Sequence, residues 1–239
     1  MHPITARFLS FSSSKKTLLL IQKGMPLDSE ELCFSKAAES RPELTELILN
    51  SKSNKPEGVQ RALFWLSLKA TLLSLKQNPM FMAAFSETES ALLAEGATDE
   101  QSESLFLSCL FEEAYESEHD FSEFDAEFVL ESIQTLSRLA SLDEDKLQNL
   151  RLEFEKHAQT IPAVEWKIFN AFFNEFFEEG LEIPSEKHME ALYEQSPSIE
   201  ETELNVFLDF LEAKKIIGPL RKQKLLAKAM QTKESLRQT

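Results

Sequence analysis

Strand patterns are nearly absent from this 239-residue chain, and so is clustered glycine: Gly24, Gly58, Gly96, Gly180 and Gly218 are all isolated. Phosphate cradles need closely spaced glycines so that the backbone can approach the anion, which argues against a nucleotide-binding loop. A G-x-S-x-G nucleophile elbow is ruled out for the same reason. Cysteine is scarce. Cys33 and Cys109 stand among apolar or helix-forming residues and read as buried thiols in a reducing compartment, not as a disulfide framework. No HExxH and no paired Cys-x-x-Cys is present to bind zinc.

Long apolar runs are missing too. None approaches the roughly 18 residues needed to span a bilayer, so no membrane span is expected. Lys15 and Lys16 ahead of Thr17 to Ile21 have the look of a basic region before a signal sequence, but Gln22 ends the run. A secretory apolar region needs about 7 to 15 residues. Positive charge is in deficit: 25 Lys and Arg against 41 Asp and Glu give a formal −16 and a pI near 4.8. Nucleic acids and anionic membranes need clustered cations to neutralise phosphate, so neither is an expected partner. A basic protein is.

What the chain does contain is helix. The apolar periods predict segments at about 28–39, 41–51, 57–76, 87–95, 99–117, 122–139, 143–159, 162–178, 185–194, 199–216 and 220–236, an all-α irregular bundle of about 9–11 helices with no significant sheet. Capping boxes, in which two side chains satisfy each other's orphan backbone donors, are read at Ser40 to Glu43, Thr98 to Gln101, Ser141 to Glu144 and Ser198 to Glu201. Gly180 and Gly218 follow long periodic runs, as helix-closing glycines do. Residues 1–25, with Ser10, Ser12, Ser13 and Ser14, read as a flexible arm. Residues 26–239 read as a single helical domain, with a subdivision near 51–57.

Three stretches are expected to be central. In 199–216, Leu204, Phe207, Leu208 and Leu211 form a stripe that Val206, Phe210 and Ala213 widen. In 162–178, Val164, Ile168, Phe172 and Phe176 form one row, and Phe169, Phe173 and Phe177 another. Leu105 to Leu107 and Cys109 to Phe111 fill three adjacent rows of a further helix. Each buried Phe contributes about 1.5–3 kcal/mol relative to exposure. Trp65 and Trp166 sit within apolar helical runs and read as packing residues.

The charge pattern is the most unusual feature, because no Lys or Arg occurs from Gln77 through Ser137. The acids are densest at Glu112, Glu113, Glu116, Glu118, Asp120, Glu123, Asp125 and Glu127, which form the candidate partner-binding surface. The competing reading is a solvated helical face. A calcium loop opening at Asp120 fails, because its third, fifth and sixth positions are Ser122, Phe124 and Asp125. A di-iron bundle needs two Glu-x-x-His pairs, and only Glu116 with His119 qualifies. No catalytic residue, metal or cofactor is therefore assigned. A basic amphipathic helix at the C-terminus sets Arg221, Lys222, Lys224, Lys228, Lys233 and Arg237 against Leu225, Leu226, Ala229 and Met230.

The function expected is that of a non-enzymatic adaptor or protein-interaction module in the cytoplasm. An alternative is a bacterial effector, or a regulator of a secretion apparatus, exported without a signal peptide through residues 1–25. A helical metalloenzyme built on Glu116 and His119 is the third reading. The sequence does not set the oligomeric state.

Overall fold

The computed structural model describes residues 1–120, 123–142, 144–159, 189, 191 and 201–238, with the backbone alone for 116–120, 144, 147, 158, 159, 202, 237 and 238. Among the described residues there are eleven helices and no strand. They are α1 (Pro3–Leu9), α2 (Phe11–Gln22), α3 (Ser29–Ser40), α4 (Pro42–Asn50), α5 (Glu57–Leu75), α6 (Pro79–Ala94), α7 (Asp99–Asp120), α8 (Ala126–Ala140), α9 (Glu144–Gln159), α10 (Glu201–Ala213) and α11 (Pro219–Gln238). The protein is all-α. The segments expected at 162–178 and 185–194, with their phenylalanines, lie outside the described residues, apart from Met189 and Ala191. So do Trp166, Gly180 and the Ser198 box.

The chain divides into two compact units, residues 1–87 with 98–129 and residues 88–97 with 130–239. The division falls inside α6 and α8. The segment 51–57, read as a linker, joins α4 to α5, and both helices lie in the first unit.

In the first unit α5 is the central helix, packed against α1, α3, α4 and α7. Val59, Ala62, Leu63, Leu66, Leu68, Ala70, Leu72 and Leu75 leave it little polar surface, and a helix that is apolar almost all round has to be covered on most sides. Residues 1–25 supply part of that cover. The arm expected there is two helices, with Ile4, Phe8 and Leu18 buried in the same core as Phe34 and Leu66. The Phe8 and Phe34 rings stack with centroids 4.2 Å apart.

Of the serines that suggested an arm, Ser14 bonds inward, while Ser10 and Ser12 meet each other on the surface. Ser14 Oγ donates to the Phe8 carbonyl at 2.5 Å, and the Thr5 and Thr71 hydroxyls meet at 2.7 Å. Arg7 then ties α1 to the start of α3 by donating to Asp28 at 2.9 Å, Glu30 at 2.5 Å and Glu31 at 3.2 Å. That guanidinium, with a backbone N–H from Glu31, holds the Asp28 carboxyl below its ordinary value of 3.8. Both thiols are buried, and burial pushes the Cys33 thiol up.

Helix termini follow the capping logic, with changes of detail. Thr98 and Gln101 form the reciprocal box, at 2.8 and 3.2 Å. Asp28 and Glu31 form a second one. Ser40 does not cap α4: it belongs to the last turn of α3, where its hydroxyl donates to the Ala37 carbonyl. Ser141 likewise donates backward, to the Arg138 carbonyl. Helix α6 starts eight residues before the predicted segment, because Asn78 Oδ1 accepts from the Met80 N–H at 3.0 Å and Pro79 occupies the first helical position. The apolar run from Met80 to Phe85 hides the helical period.

In the second unit Leu204, Phe207, Leu208 and Leu211 of α10 are buried as expected, together with Phe154, Ile216, Ile217 and Leu225. Ala213 is exposed and does not widen the stripe. The Phe154 ring meets Phe207 at 5.5 Å and Phe210 at 4.9 Å, both edge to face. Gly218 does not close α10. Lys215 does, with φ 59°, its N–H donating to the Glu212 carbonyl at 2.8 Å while Ile216 donates to Leu211 at 2.9 Å. Gly24 and Gly96 fill the equivalent place after α2 and α6.

Gly218 has a different task. The Glu131 carboxylate reaches across from α8 to accept from the Leu220 and Arg221 N–H groups at 3.1 and 2.8 Å, and a Cβ on Gly218 would overlap it. Arg221, read as part of the basic side of α11, is 1% exposed and donates to Ser132 Oγ at 2.7 Å.

Two measurements follow from these contacts. Lys215→Gly removes a left-handed β-carbon and should stabilise the second unit by about 1 kcal/mol, whereas Gly218→Ala, which displaces Glu131, should destabilise it; urea titrations of the three proteins compare them. Arg7→Gln should raise the Asp28 carboxyl toward 3.8 in an NMR titration. A depressed carboxyl contributes stability above its unfolded value and loses it as pH falls through the folded one. The difference in stability between wild type and R7Q should therefore shrink below about pH 4.

Candidate functional site

Helix α7 carries most of the acidic stretch, and its seating on α5 decides which side chains reach solvent. Lys69, nearly buried within α5, is ion-paired with Glu103. Phe106 and Leu110 follow on the same face and are buried, with Phe106 edge to face against Phe85 at 4.9 Å. Residues 103, 106, 110 and 113 thus share the inward stripe.

The opposite stripe holds Ser104, Ser108, Phe111 and Tyr115, all exposed. Phe111 was expected inside, in the third filled row of a central helix. It is 44% exposed although it lies against Phe64 of α5, whereas Phe106 is buried against Phe85 of α6. Tyr115, not singled out by periodicity, is 50% exposed. Its ring lies nearly parallel to Phe111 at 6.2 Å, and Phe111 meets the half-buried Phe64 of α5 edge to face at 5.5 Å. Three aromatic rings therefore form one partly exposed patch. One turn before Phe64, Arg61 is tied to Glu57 at 2.5 Å. The sequence signal for the patch was present, since Phe111 and Tyr115 are four residues apart.

The five acidic candidates whose side chains are described differ in their surroundings. Glu113 is 2% exposed and accepts from the Asp125 N–H at 3.3 Å; the Met1 amino group lies 3.7 Å away. Asp125 is the cap of α8, accepting from the Phe128 N–H at 2.9 Å. A carboxylate in these positions satisfies backbone donors, which gives Glu113 and Asp125 a structural task. Glu112 is half-buried beside Phe111, and Glu123 and Glu127 are exposed. The side chains of Glu116, Glu118 and Asp120 lie outside the described residues, as does that of His119. The backbone of α7 is helical through Asp120.

That helical backbone gives the acids an electrostatic setting. Carboxylates near a helix C-terminus oppose the macrodipole, at about 0.3–1 kcal/mol each on a surface, and Glu116, Glu118 and Asp120 occupy the last turns of α7. Of the 41 acids in the chain, 15 lie between Gln77 and Ser137, where none of the 25 Lys and Arg occurs. Nearly all of the net charge therefore originates in that segment.

Comparison with protein-family models, curated proteins and solved structures finds no match.

Among the described residues no three His, Cys, Asp or Glu side chains converge to hold an ion, and no helix is long and apolar enough to cross a membrane. A groove of about 250 Å³ in the second unit runs between α10 and α11, over Leu204, Asn205, Leu226 and Met230. Glu201, Lys233 and Glu234 give it charges of both signs. Lys222 of α11 is paired with Asp209 and Glu212 of α10, so part of the C-terminal basic charge is spent within the unit.

The division of the acids is measurable. Asp125→Ala should cost about 1 kcal/mol through loss of the cap, whereas Glu123→Ala should change stability by less than about 0.5 kcal/mol, both read by thermal unfolding.

Proposed function

We propose that the protein is a non-enzymatic interaction module that presents an acidic helical face to a basic partner protein. The observation that supports this most is the segregation of charge. Acids met by bases at close range, as Asp28, Glu30 and Glu31 are by Arg7, Asp209 and Glu212 by Lys222, and Glu103 of α7 by Lys69, take those bases from outside Gln77–Ser137, which has none. The α7 helix contains no Lys or Arg of its own. A surface of one sign accelerates encounter with a partner of the other, disfavours like-charged partners, and loses its advantage as salt rises. Like-charge repulsion also makes nucleic acid and anionic lipid poor partners for this face.

Affinity capture from the source cell, read by mass spectrometry, tests the reading. A double variant carrying Glu123→Lys and Glu127→Lys keeps Glu112, Glu113 and Asp125, so the packing of α7 and the side-chain cap of α8 are retained. The expected result is a basic protein recovered by the wild type at 50 mM salt and reduced at least about tenfold by the variant or by 300 mM salt. Equal recovery by both proteins at low salt would retire the proposal.

A further inference from the structure

The acidic surface by itself gives long-range attraction but little to hold a partner, since exposed ion pairs contribute weakly and are screened. Stable interfaces are centred on apolar anchors, commonly aromatic, inside a polar rim. On α7 such an anchor stands beside the charge. Phe111 and Tyr115 expose about half of their surface on the outward stripe, and Phe64 of α5 extends the apolar area.

Tyr and Phe left outside a core in this way bind at small entropic cost, because each has only two side-chain torsions to fix. The rim is polar or acidic: Ser104 and Ser108 precede the rings on the stripe, and Glu112 lies beside them. Beyond Tyr115 the helix continues through Glu116, Glu118 and Asp120 to its negative dipole end. A cation over that end would be favoured by the helix dipole and by the acidic sequence there. An apolar group over the rings would cover area that water now meets.

We propose that the Phe64, Phe111 and Tyr115 patch is the anchoring site for an amphipathic segment of a partner protein, one that sets apolar side chains on the rings and Lys or Arg side chains over the C-terminal turns of α7. The inference rests on the acidic-docking reading and adds to it the place and the apolar half of the contact. It predicts that affinity and salt dependence respond to different residues: the rings set how long the complex lasts, and the carboxylates set how it forms and how salt weakens it.

The test uses the full chain and three fluorescein-labelled helical peptides of equal length, one built from Leu and Lys, one from Leu and Glu, and one from Ser and Lys. Binding is read by fluorescence anisotropy at 50 and 300 mM salt. The Leu/Lys peptide should bind most tightly, and a variant carrying Phe111→Ser and Tyr115→Ser should lose at least about tenfold in affinity for it while keeping the wild-type salt slope. The Ser/Lys peptide should bind weakly and equally to both proteins. The single variant Tyr115→Phe, which keeps the ring, should bind like the wild type, and a circular-dichroism melt confirms that each variant is folded.

Equal affinity of wild type and ring variant for the Leu/Lys peptide would overturn the anchor and leave the acidic-docking reading standing. Failure of the wild type to prefer Leu/Lys over Leu/Glu would overturn both. Sedimentation showing that the wild type self-associates through these rings, and the ring variant does not, would assign the face to a second copy of the chain and overturn the proposed occupant.

Discussion

The burial of α5 is the constraint from which the first unit follows. A nineteen-residue helix that is apolar on nearly every side is stable only inside a ring of other helices, so α1, α3, α4 and α7 are each held by what they cover. The requirement draws in the N-terminal residues, whose composition alone suggested an arm. It also orients α7. Lys69 is a charge within the buried helix, and its ion pair with Glu103 sets one face of α7 inward. Phe111 and Tyr115 remain about half exposed, with Phe111 meeting Phe64 of α5 edge to face.

Carboxylates in this protein have two occupations. Some stand in for missing backbone partners: Asp28 and Asp125 at the starts of α3 and α8, Glu131 at the start of α11, and Glu113 against the Asp125 N–H. A helix N-terminus offers unsatisfied donors and a positive dipole end, so an acid placed there is stabilised by the fold itself. Others, Glu123 and Glu127 among them, lie exposed on the surface, Glu127 in the first turn of α8. Counting acids along the chain merges the two populations.

Charge without an apolar centre gives fast, salt-sensitive and short-lived encounters, and an apolar centre without charge gives little selectivity. Helix α7 carries both, with the carboxylates toward its C-terminal end, where the dipole disfavours them. Departures from local helix preference of this kind commonly accompany function.

Periodicity and capping residues determined the class of fold and most helix positions, because a 3.6-residue apolar repeat and the chemistry of orphan backbone donors are local properties. Thr98 with Gln101 and the α10 stripe were readable for that reason. Local reasoning could not say which of three filled rows on α7 would be buried, since that depends on where Lys69 and Phe85 stand on other helices. Nor could it separate Glu113 and Asp125 from Glu123 and Glu127, four acids in one short stretch, because only a partner's backbone brought close in space makes a carboxylate structural. Gly218 gives the same lesson: the sequence showed a glycine after a helix, and the approach of Glu131 from eighty-seven residues away decided its purpose.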